Sequence, residues 1–420
     1  MSTYIRNPNL PCLHKQRGAV LMLMLVILVV GATAMMVNSL NSAANLSGRS
    51  SATSSALAQA KEALIGDSAS QSSISSAGYL SLPDLGFSTS TTVLAEGSSP
   101  SNFAGNSAGF SLIGKLPWKK LSTPALRDSA GECLWYIVSG RFKDTPLNVN
   151  VISWDTLGQI DVIDGSGNPI ASNIAALLVA PGHPIDGQSH NLLDPIYTQC
   201  GGNYNAQNYL DSFNQSDAVS GQVNYFTGST NNNIATNTNN KQFVLANNSH
   251  YNDQFMFVTV DDIFRPIIHR SDFSQQITNL MNDSYFQAVP ISSAATKGTA
   301  NVNCLSLSTT ANKNFCTNWK DMLLLKSIPT SMNMMTMTMS SSYNITIDGS
   351  TTNICPNNRL LIFGGQKTSA QLRVTPTDIS NPANYLESTN LSTFNGSAGN
   401  FVGTSTFNAN SPSADVIKCL

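Results

Sequence analysis

An uninterrupted apolar run follows a polar, basic start of the chain. Residues 1–18 include Arg6, Lys15 and Arg17, whereas residues 19–37 contain no charged side chain. Leu, Ile and Val each favour insertion into a bilayer, so this run is predicted to span a membrane, with the basic flank on the cytoplasmic side. Apolar and small residues then recur at spacings of three and four as far as Ile65. The pattern predicts one long helix over residues 19–65, ending at Gly66.

Beyond Gly66 the periodicity changes to that of a β-rich chain with one clear helix. A hairpin is predicted over residues 159–170, and a helix beginning near Asp261 is predicted to turn its apolar face to the core. Residues 204–251 are rich in Asn and are interpreted as a surface insertion. The fold class is therefore α+β with antiparallel sheet. Branched and aromatic residues predict strands at residues 131–139, 147–152, 173–180, 254–260, 359–363 and 414–419.

Residues 335–339 alternate strictly between Met and Thr. This period of two predicts a strand with methionines on one face and threonines on the other. Thioethers are also soft ligands for copper, but we favour packing of the methionine face in the core.

Composition removes several classes of function. Only 11% of residues are charged and the formal net charge is -2, so no electrostatic footprint for nucleic acid is present. The sequence contains no Walker loop, no His-Glu-x-x-His and no Gly-x-Ser-x-Gly, and its five histidines have no zinc-like spacing. We therefore expect neither an enzyme nor a cofactor.

A weak calcium candidate lies at the tip of the predicted hairpin. Asp161, Asp164 and Asn168 offer the oxygen ligands that calcium prefers. Their spacing is not that of an EF-hand, and Asp-Gly with Gly-Asn are common turn pairs, so we favour a plain hairpin without a metal.

Seven cysteines are present, of which Cys12 precedes the apolar run. The other six lie on the side that would be exported, where an even number indicates up to three disulfides. Six cysteines allow fifteen pairings, and buried free thiols are the alternative.

The N-terminus resembles that of type IV prepilins and type II secretion pseudopilins: a basic leader ends in Lys15-Gln-Arg-Gly18, and a long apolar helix follows. Residues 57–66, 116–119, 200–204 and 361–365 are also similar to stretches of large pilin-like proteins. The resemblance implies a pilin-like fold, in which a long hydrophobic helix packs on a β-rich head. It also implies cleavage after Gly18 by a prepilin peptidase and methylation of Ala19.

The implied organisation is a leader (1–18), a transmembrane and amphipathic stem (19–65), and an exported head (66–420) of one unit or two subdomains. Leu23 stands at the fifth mature position, where most major pilins have Glu. A buried carboxylate there would need a partner, and Leu23 needs none. We therefore expect a minor pilin or pseudopilin at a filament tip. Its expected partners are the peptidase, other pilin subunits, the inner membrane, and a surface or adhesin ligand.

The resemblance favours one disulfide pairing, and loop length favours a second. A bond from Cys355 to Cys419 would staple the C-terminus, as such bonds do in many pilins. Cys304 with Cys316 is the second pairing because it closes a short loop, which leaves Cys133 with Cys200.

An alternative interpretation of the N-terminus remains open. Ala32-Thr-Ala34 after a basic residue and an apolar run also fits a secretory signal peptide cleaved after Ala34. The product would then be a secreted or anchored binding protein that begins at Met35.

Overall fold

The computed structural model describes residues 50–89, 92–101, 110–144, 151–190, 199–200, 203–212, 225–227, 240–289 and 302–420. The chain divides into two compact units, residues 1–54 and 55–420. Of the first unit, only residues 50–54 are described, and all are helical.

The first helix, α1, is helical throughout residues 50–69. The predicted end at Gly66 is wrong, because the helix continues for three more residues. A glycine inside a helix costs only about 1 kcal/mol relative to alanine. Arg270 offsets this cost, since its Nη1 donates hydrogen bonds to the carbonyls of Ala69 (2.6 Å) and Gln71 (2.8 Å) at the C-terminal end of α1.

Residues 19–49 of the predicted long helix lie outside the described residues. Within the part of the chain that the structure describes, no helix combines the length and apolarity needed to cross a membrane.

A five-stranded antiparallel sheet forms the centre of the unit. The spatial order is β10-β7-β4-β3-β8. Strands β4 and β7 are buried along their whole length, since both faces of the sheet are covered. The strands are β3 (Phe110–Lys115), β4 (Trp135–Val138), β7 (Ala176–Ala180), β8 (Tyr225–Thr227) and β10 (Gln254–Val258).

Elsewhere in the described residues the strands form three sheets of three strands and two hairpins. Most strand pairs are antiparallel, but β5 with β9 and β14 with β17 are parallel. One three-stranded sheet contains Ile160–Asp164 (β5), Pro169–Ile174 (β6) and Lys241–Leu245 (β9), in the order β6-β5-β9. The second contains Leu323–Ser327 (β11), Arg359–Phe363 (β16) and Val416–Cys419 (β18), in the order β11-β16-β18. The third contains Tyr343–Ile347 (β14), Ser350–Thr352 (β15) and Gly399–Gly403 (β17), in the order β15-β14-β17. The two hairpins are Phe87–Thr89 (β1) with Thr92–Val93 (β2), and Thr330–Asn333 (β12) with Thr338–Ser341 (β13).

Six further helices follow the central sheet in the described residues. A capping box starts α2, because the Thr259 hydroxyl accepts from the Asp262 N–H while the Asp262 carboxylate accepts from the Thr259 N–H. The single helix predicted near Asp261 is in fact two, α2 and α3, separated at His269 and Arg270. The helices are α2 (Val260–Ile268), α3 (Ser271–Met281), α4 (Tyr285–Ala288), α5 (Thr310–Trp319), α6 (Pro376–Ser380) and α7 (Ser388–Asn395).

Alternation along the central strands builds two hydrophobic cores. Tyr136 and Val138 of β4 face the larger core, which also contains the buried face of α1, helices α2, α3 and α5, and the β11-β16-β18 sheet. Trp135 and Ile137 face the smaller core, which is closed by the β6-β5-β9 sheet. This alternation is the direct consequence of the two-residue period of a strand.

The structure confirms the α+β class and several antiparallel sheets. It corrects the interpretation of residues 204–251 as a surface insertion alone. Lys241–Leu245 pairs with β5, and Phe243 is fully buried in the smaller core. Residues 145–150, in the predicted strand 147–152, lie outside the described residues.

Candidate functional site

The residues expected to be processed or to pack in a filament are Gly18, Ala19 and Leu23. All three lie outside the described residues.

Three disulfides bridge the head. They join Cys133 to Cys200, Cys304 to Cys316, and Cys355 to Cys419. These are the same three pairs that we favoured from the sequence. The last of them connects the segment before β16 to β18, and these two strands are neighbours in one sheet.

The carboxylates of the calcium candidates Asp161 and Asp164 accept hydrogen bonds from other groups of the head. Asp164 accepts from the backbone N–H of Ser166 and Asn168, both at 2.8 Å, and from the Asn168 amide at 2.9 Å. Asp161 accepts from the Asn173 N–H and the Asn240 amide, both at 2.8 Å. Hydrogen bonding to Asn168 lowers the pKa of Asp164. The contacts of Asp164 are those of the turn. In the described ranges no group of three His, Cys, Asp or Glu side chains is arranged to hold a metal.

A group of largely buried polar side chains lies where the short motifs at residues 116–119 and 200–204 meet. We call it the Lys115 centre. Its members are Asp84, Lys115, Glu132, His190, Tyr204 and Tyr209. Lys115 ends β3 and is 3% exposed. Its Nζ donates to the Cys200 carbonyl at 2.7 Å and lies over the rings of Tyr204 (5.0 Å) and Tyr209 (5.2 Å). The cation thus anchors the segment that contains Cys200 and Tyr204 against the sheet.

Asp84 is the acidic counterpart of Lys115. Its backbone N–H and carbonyl pair with those of Lys115, both at 2.9 Å. Its carboxylate accepts from the N–H groups of Gly86 (2.9 Å) and Gly97 (2.6 Å) and from the Tyr204 hydroxyl (3.2 Å). The carboxylate therefore holds the loop that contains the β1-β2 hairpin closed beside residues 116–119.

Burial shifts the pKa values of both Asp84 and Lys115. It raises the pKa of Asp84 to about 6, opposed by the hydrogen bonds from Gly86 and Gly97. It lowers the pKa of Lys115 to about 8, opposed by Asp84, Glu132 and Glu96. The amine of Lys115 thus attracts the carboxylates of Asp84, Glu132 and Glu96 in a largely buried setting.

His190 completes the edge of this centre. Its Nδ1 lies 3.2 Å from Glu132 Oε1, and its ring stacks on Tyr209 with centroids 4.4 Å apart. The Cys133–Cys200 disulfide joins the residue after Glu132 to the segment held by Lys115. Asp84 and Lys115 thus hold segments of the head together through hydrogen bonds with backbone groups and with the Tyr204 hydroxyl.

A second buried charge organises the C-terminal part of the head. Arg373 is 1% exposed and pairs with Asp155 at 3.1 Å. It also donates to the carbonyls of Asn384 (2.6 Å) and Gly365 (2.9 Å), and its guanidinium lies 4.2 Å from the centroid of the Tyr385 ring. Burial raises the pKa of Asp155, and Arg373 opposes that shift. Gly365, the last residue of the short motif at residues 361–365, is therefore held by the buried guanidinium of Arg373.

The methionine strand differs from its prediction. Residues 334–337 form a turn between β12 and β13, and the side chains are exposed instead of packed in the core. The exposed fractions run from 53% to 96% for Met332, Met334, Met335, Met337 and Met339. A strict alternation distinguishes two faces of a strand, but it does not say which face, if either, is covered.

Asp84, Lys115, Asp155 and Arg373 were not singled out from the sequence. Each is a charged residue held by partners far along the chain, such as Arg373 and Asp155 across 218 positions. The only local signal was Lys115 directly after the apolar stretch of β3. No family model, curated protein or solved structure matches this chain.

Proposed function

We propose that this protein is a minor pilin or pseudopilin that is incorporated at the tip of a filament through its N-terminal helix and presents its head to other subunits, a surface or a ligand. The proposal begins with the sequence: a basic leader that ends in Gly18, an apolar helix without a glutamate at Leu23, and a stem pattern that continues into the head. It places the protein in the inner membrane before assembly and on the cell surface afterwards.

The observation that carries the proposal is the seating of α1 on the head. Ala56, Leu57, Ala60 and Leu64 lie on one helical face and are 9% exposed or less within the larger core. Burying such a face contributes roughly 25 cal/mol per Å² of apolar area removed from water. The helical segment after the apolar run is thus an integral part of the folded head, as the stem of a pilin-like subunit requires.

Polar contacts also fix α1. Lys61 Nζ lies 2.8 Å from Asp262 Oδ2, in the first turn of α2. Asp262 is the same residue that forms the capping box with Thr259. A pulling force on α1 would therefore be transmitted to the helices of the head, which suits a subunit that is held in a filament by its helix.

The experiment is to express the full chain with and without a prepilin peptidase and to sequence the mature N-terminus. We expect Ala19, methylated, only when the peptidase is present, and no cleavage in a Gly18→Val variant. A mature protein that begins at Met35 would support secretion through an ordinary signal peptide and would overturn the proposal.

Position in the filament is tested separately by labelling the head on sheared filaments. A minor tip subunit gives label at filament ends, and its amount falls when Gly18→Val replaces the wild type. Uniform labelling along the shaft would contradict the tip assignment and leave only the pilin assignment.

A further inference from the structure

The hairpin β12-β13 concentrates thioether side chains on the surface of the head. Met332 of β12 lies directly opposite Met339 of β13 in the register. Directly opposite residues on one face of an antiparallel pair have Cβ atoms about 4.5–5.5 Å apart. The turn that closes this pair adds Met334, Met335 and Met337. Five of the 13 methionines of the chain therefore lie within eight residues.

The turn has a defined geometry. The Asn333 side-chain oxygen accepts from the N–H of Met335 (3.0 Å) and Thr336 (3.3 Å), and Met337 has a φ of +56°. An asparagine that satisfies the next backbone N–H groups is a standard device for closing a turn. The methionines of the turn are therefore held next to the Met332 and Met339 pair.

The base of the hairpin is anchored to the head. Ile328 is fully buried, and its N–H donates to the Asn358 carbonyl at 2.8 Å. The Thr330 hydroxyl donates to the Asn358 side chain at 3.1 Å. On the other side Tyr343 is 3% exposed and donates to the Gly396 carbonyl at 2.8 Å. The thioethers thus project from a fixed support.

The composition of the hairpin points to sulfur chemistry rather than to apolar contact alone. Between Pro329 and Tyr343 methionine is the only apolar residue type, and all others are Thr, Ser or Asn. A surface selected only for burial against a partner or a bilayer has no reason to exclude Leu, Ile and Phe. No charged residue lies between Lys326 and Asp348, so the hairpin offers nothing to cations that prefer carboxylates.

We propose that the β12-β13 hairpin binds a soft monovalent cation, Cu(I), through the thioethers of Met332 and Met339, with methionines of the turn completing the coordination. Neutral thioether ligands select Cu(I) over zinc, calcium and magnesium. The site is independent of the proposed filament function, since it requires only the head.

The test is competition of the detergent-solubilised full chain with a chromogenic Cu(I) chelator under ascorbate, repeated with Ag(I) as a redox-inert probe. All proteins contain Cys12→Ser, so that this thiol does not bind the metal. The test variant is Met332→Leu with Met339→Leu, which keeps apolar bulk and removes both sulfurs. The matched control is Met256→Leu, a methionine of β10 outside the hairpin.

We expect one Cu(I) or Ag(I) per chain in the wild type and in Met256→Leu, and an affinity at least about tenfold weaker in the double variant. Ag(I) should shift the methyl NMR signals of the hairpin methionines and leave that of Met256 unchanged. Absence of binding in the wild type, or equal binding in the double variant, would overturn the proposal.

Discussion

The indole of Trp118 lies directly over Gly97, where a Cβ built on the glycine would come within 2.5 Å of the ring nitrogen. Gly97 has a φ of +74°, and its N–H donates to Asp84 at 2.6 Å. Trp118 belongs to the motif at residues 116–119, so this contact joins that motif to the Lys115 centre. The glycine is required twice, once by backbone conformation and once by the close approach of the ring.

The first prediction concerns this contact. Gly97→Ala should lower the free energy of unfolding by about 2–4 kcal/mol, because strain at positive φ adds to displacement of the indole. Gly131→Ala is the matched control, since Gly131 has a φ of +88° and nothing within 4 Å of its added Cβ. Gly131→Ala should lower the free energy of unfolding only by the backbone strain, about 1–2 kcal/mol. Urea unfolding followed by tryptophan fluorescence measures both, and equal losses would show that the ring moves away without cost.

The second prediction concerns the disulfides. Cys355 and Cys419 are 64 positions apart, whereas Cys304 and Cys316 are 12 apart. Closure of the longer loop removes more entropy from the unfolded chain. Replacing Cys355 and Cys419 by serine should therefore lower the free energy of unfolding by about 4 kcal/mol. The same replacement of Cys304 and Cys316 should lower it by about 3 kcal/mol. A non-reducing peptide map checks the pairing before the stability comparison. A free Cys419 in that map would contradict the first bond.

The third prediction concerns the Arg373 and Asp155 pair. Arg373→Met should destabilise the head by about 3–5 kcal/mol, because it leaves the Asp155 carboxylate buried without its cation. Adding Asp155→Leu should recover a large part of that loss, since the unpaired charge is then gone. A double variant that is no more stable than the single one would mean that packing of the guanidinium on Tyr385 matters more than charge.

The control for this prediction is a more exposed pair. Asp272 bonds Arg270 at 2.6 Å with half of its side chain exposed to solvent. Asp272→Ala should therefore change the free energy of unfolding by less than about 1 kcal/mol. The contrast isolates the effect of burial on an ion pair.

Elements with local signals were predicted well from the sequence. The hairpin at residues 159–170 follows from its turn residues, and the structure pairs β5 with β6 antiparallel around Asp164. The start of α2 follows from Asp262, whose carboxylate completes the capping box. Such signals act within four residues, so they are legible without knowledge of the tertiary fold.

Apart from the disulfides, the features that depend on distant partners were not predicted. The helix α1 continues past Gly66, and its end contacts Arg270, about 200 positions away. Strand β9 lies in an Asn-rich region but pairs with β5 because Phe243 completes the smaller core. The exposure of Met335 depends on the absence of a covering layer there, which no local pattern encodes. The buried charges of the Lys115 centre and of the Arg373–Asp155 pair also depend on distant partners.

The last prediction concerns the pH dependence of stability and Asp415. This residue precedes β18, is 3% exposed, and accepts a hydrogen bond of 2.7 Å from the Asn390 amide. Burial raises its pKa from an ordinary value of 3.8 to about 7, opposed by the bond from Asn390 and reinforced by Glu387. The folded head therefore binds a proton at Asp415 that the unfolded chain has already released between these two values.

The sign follows directly from that difference. The contribution of Asp415 to stability is full below the unfolded pKa of 3.8 and is lost as the pH rises through about 7. We expect the free energy of unfolding of the wild type to fall by a few kcal/mol from this group across that window. Asp415→Asn keeps an oxygen for Asn390 but cannot ionise, so its profile should lack that part of the fall. Urea unfolding at intervals from pH 4 to pH 8 measures the difference between the two proteins, and parallel profiles would show that Asp415 stays ionised throughout.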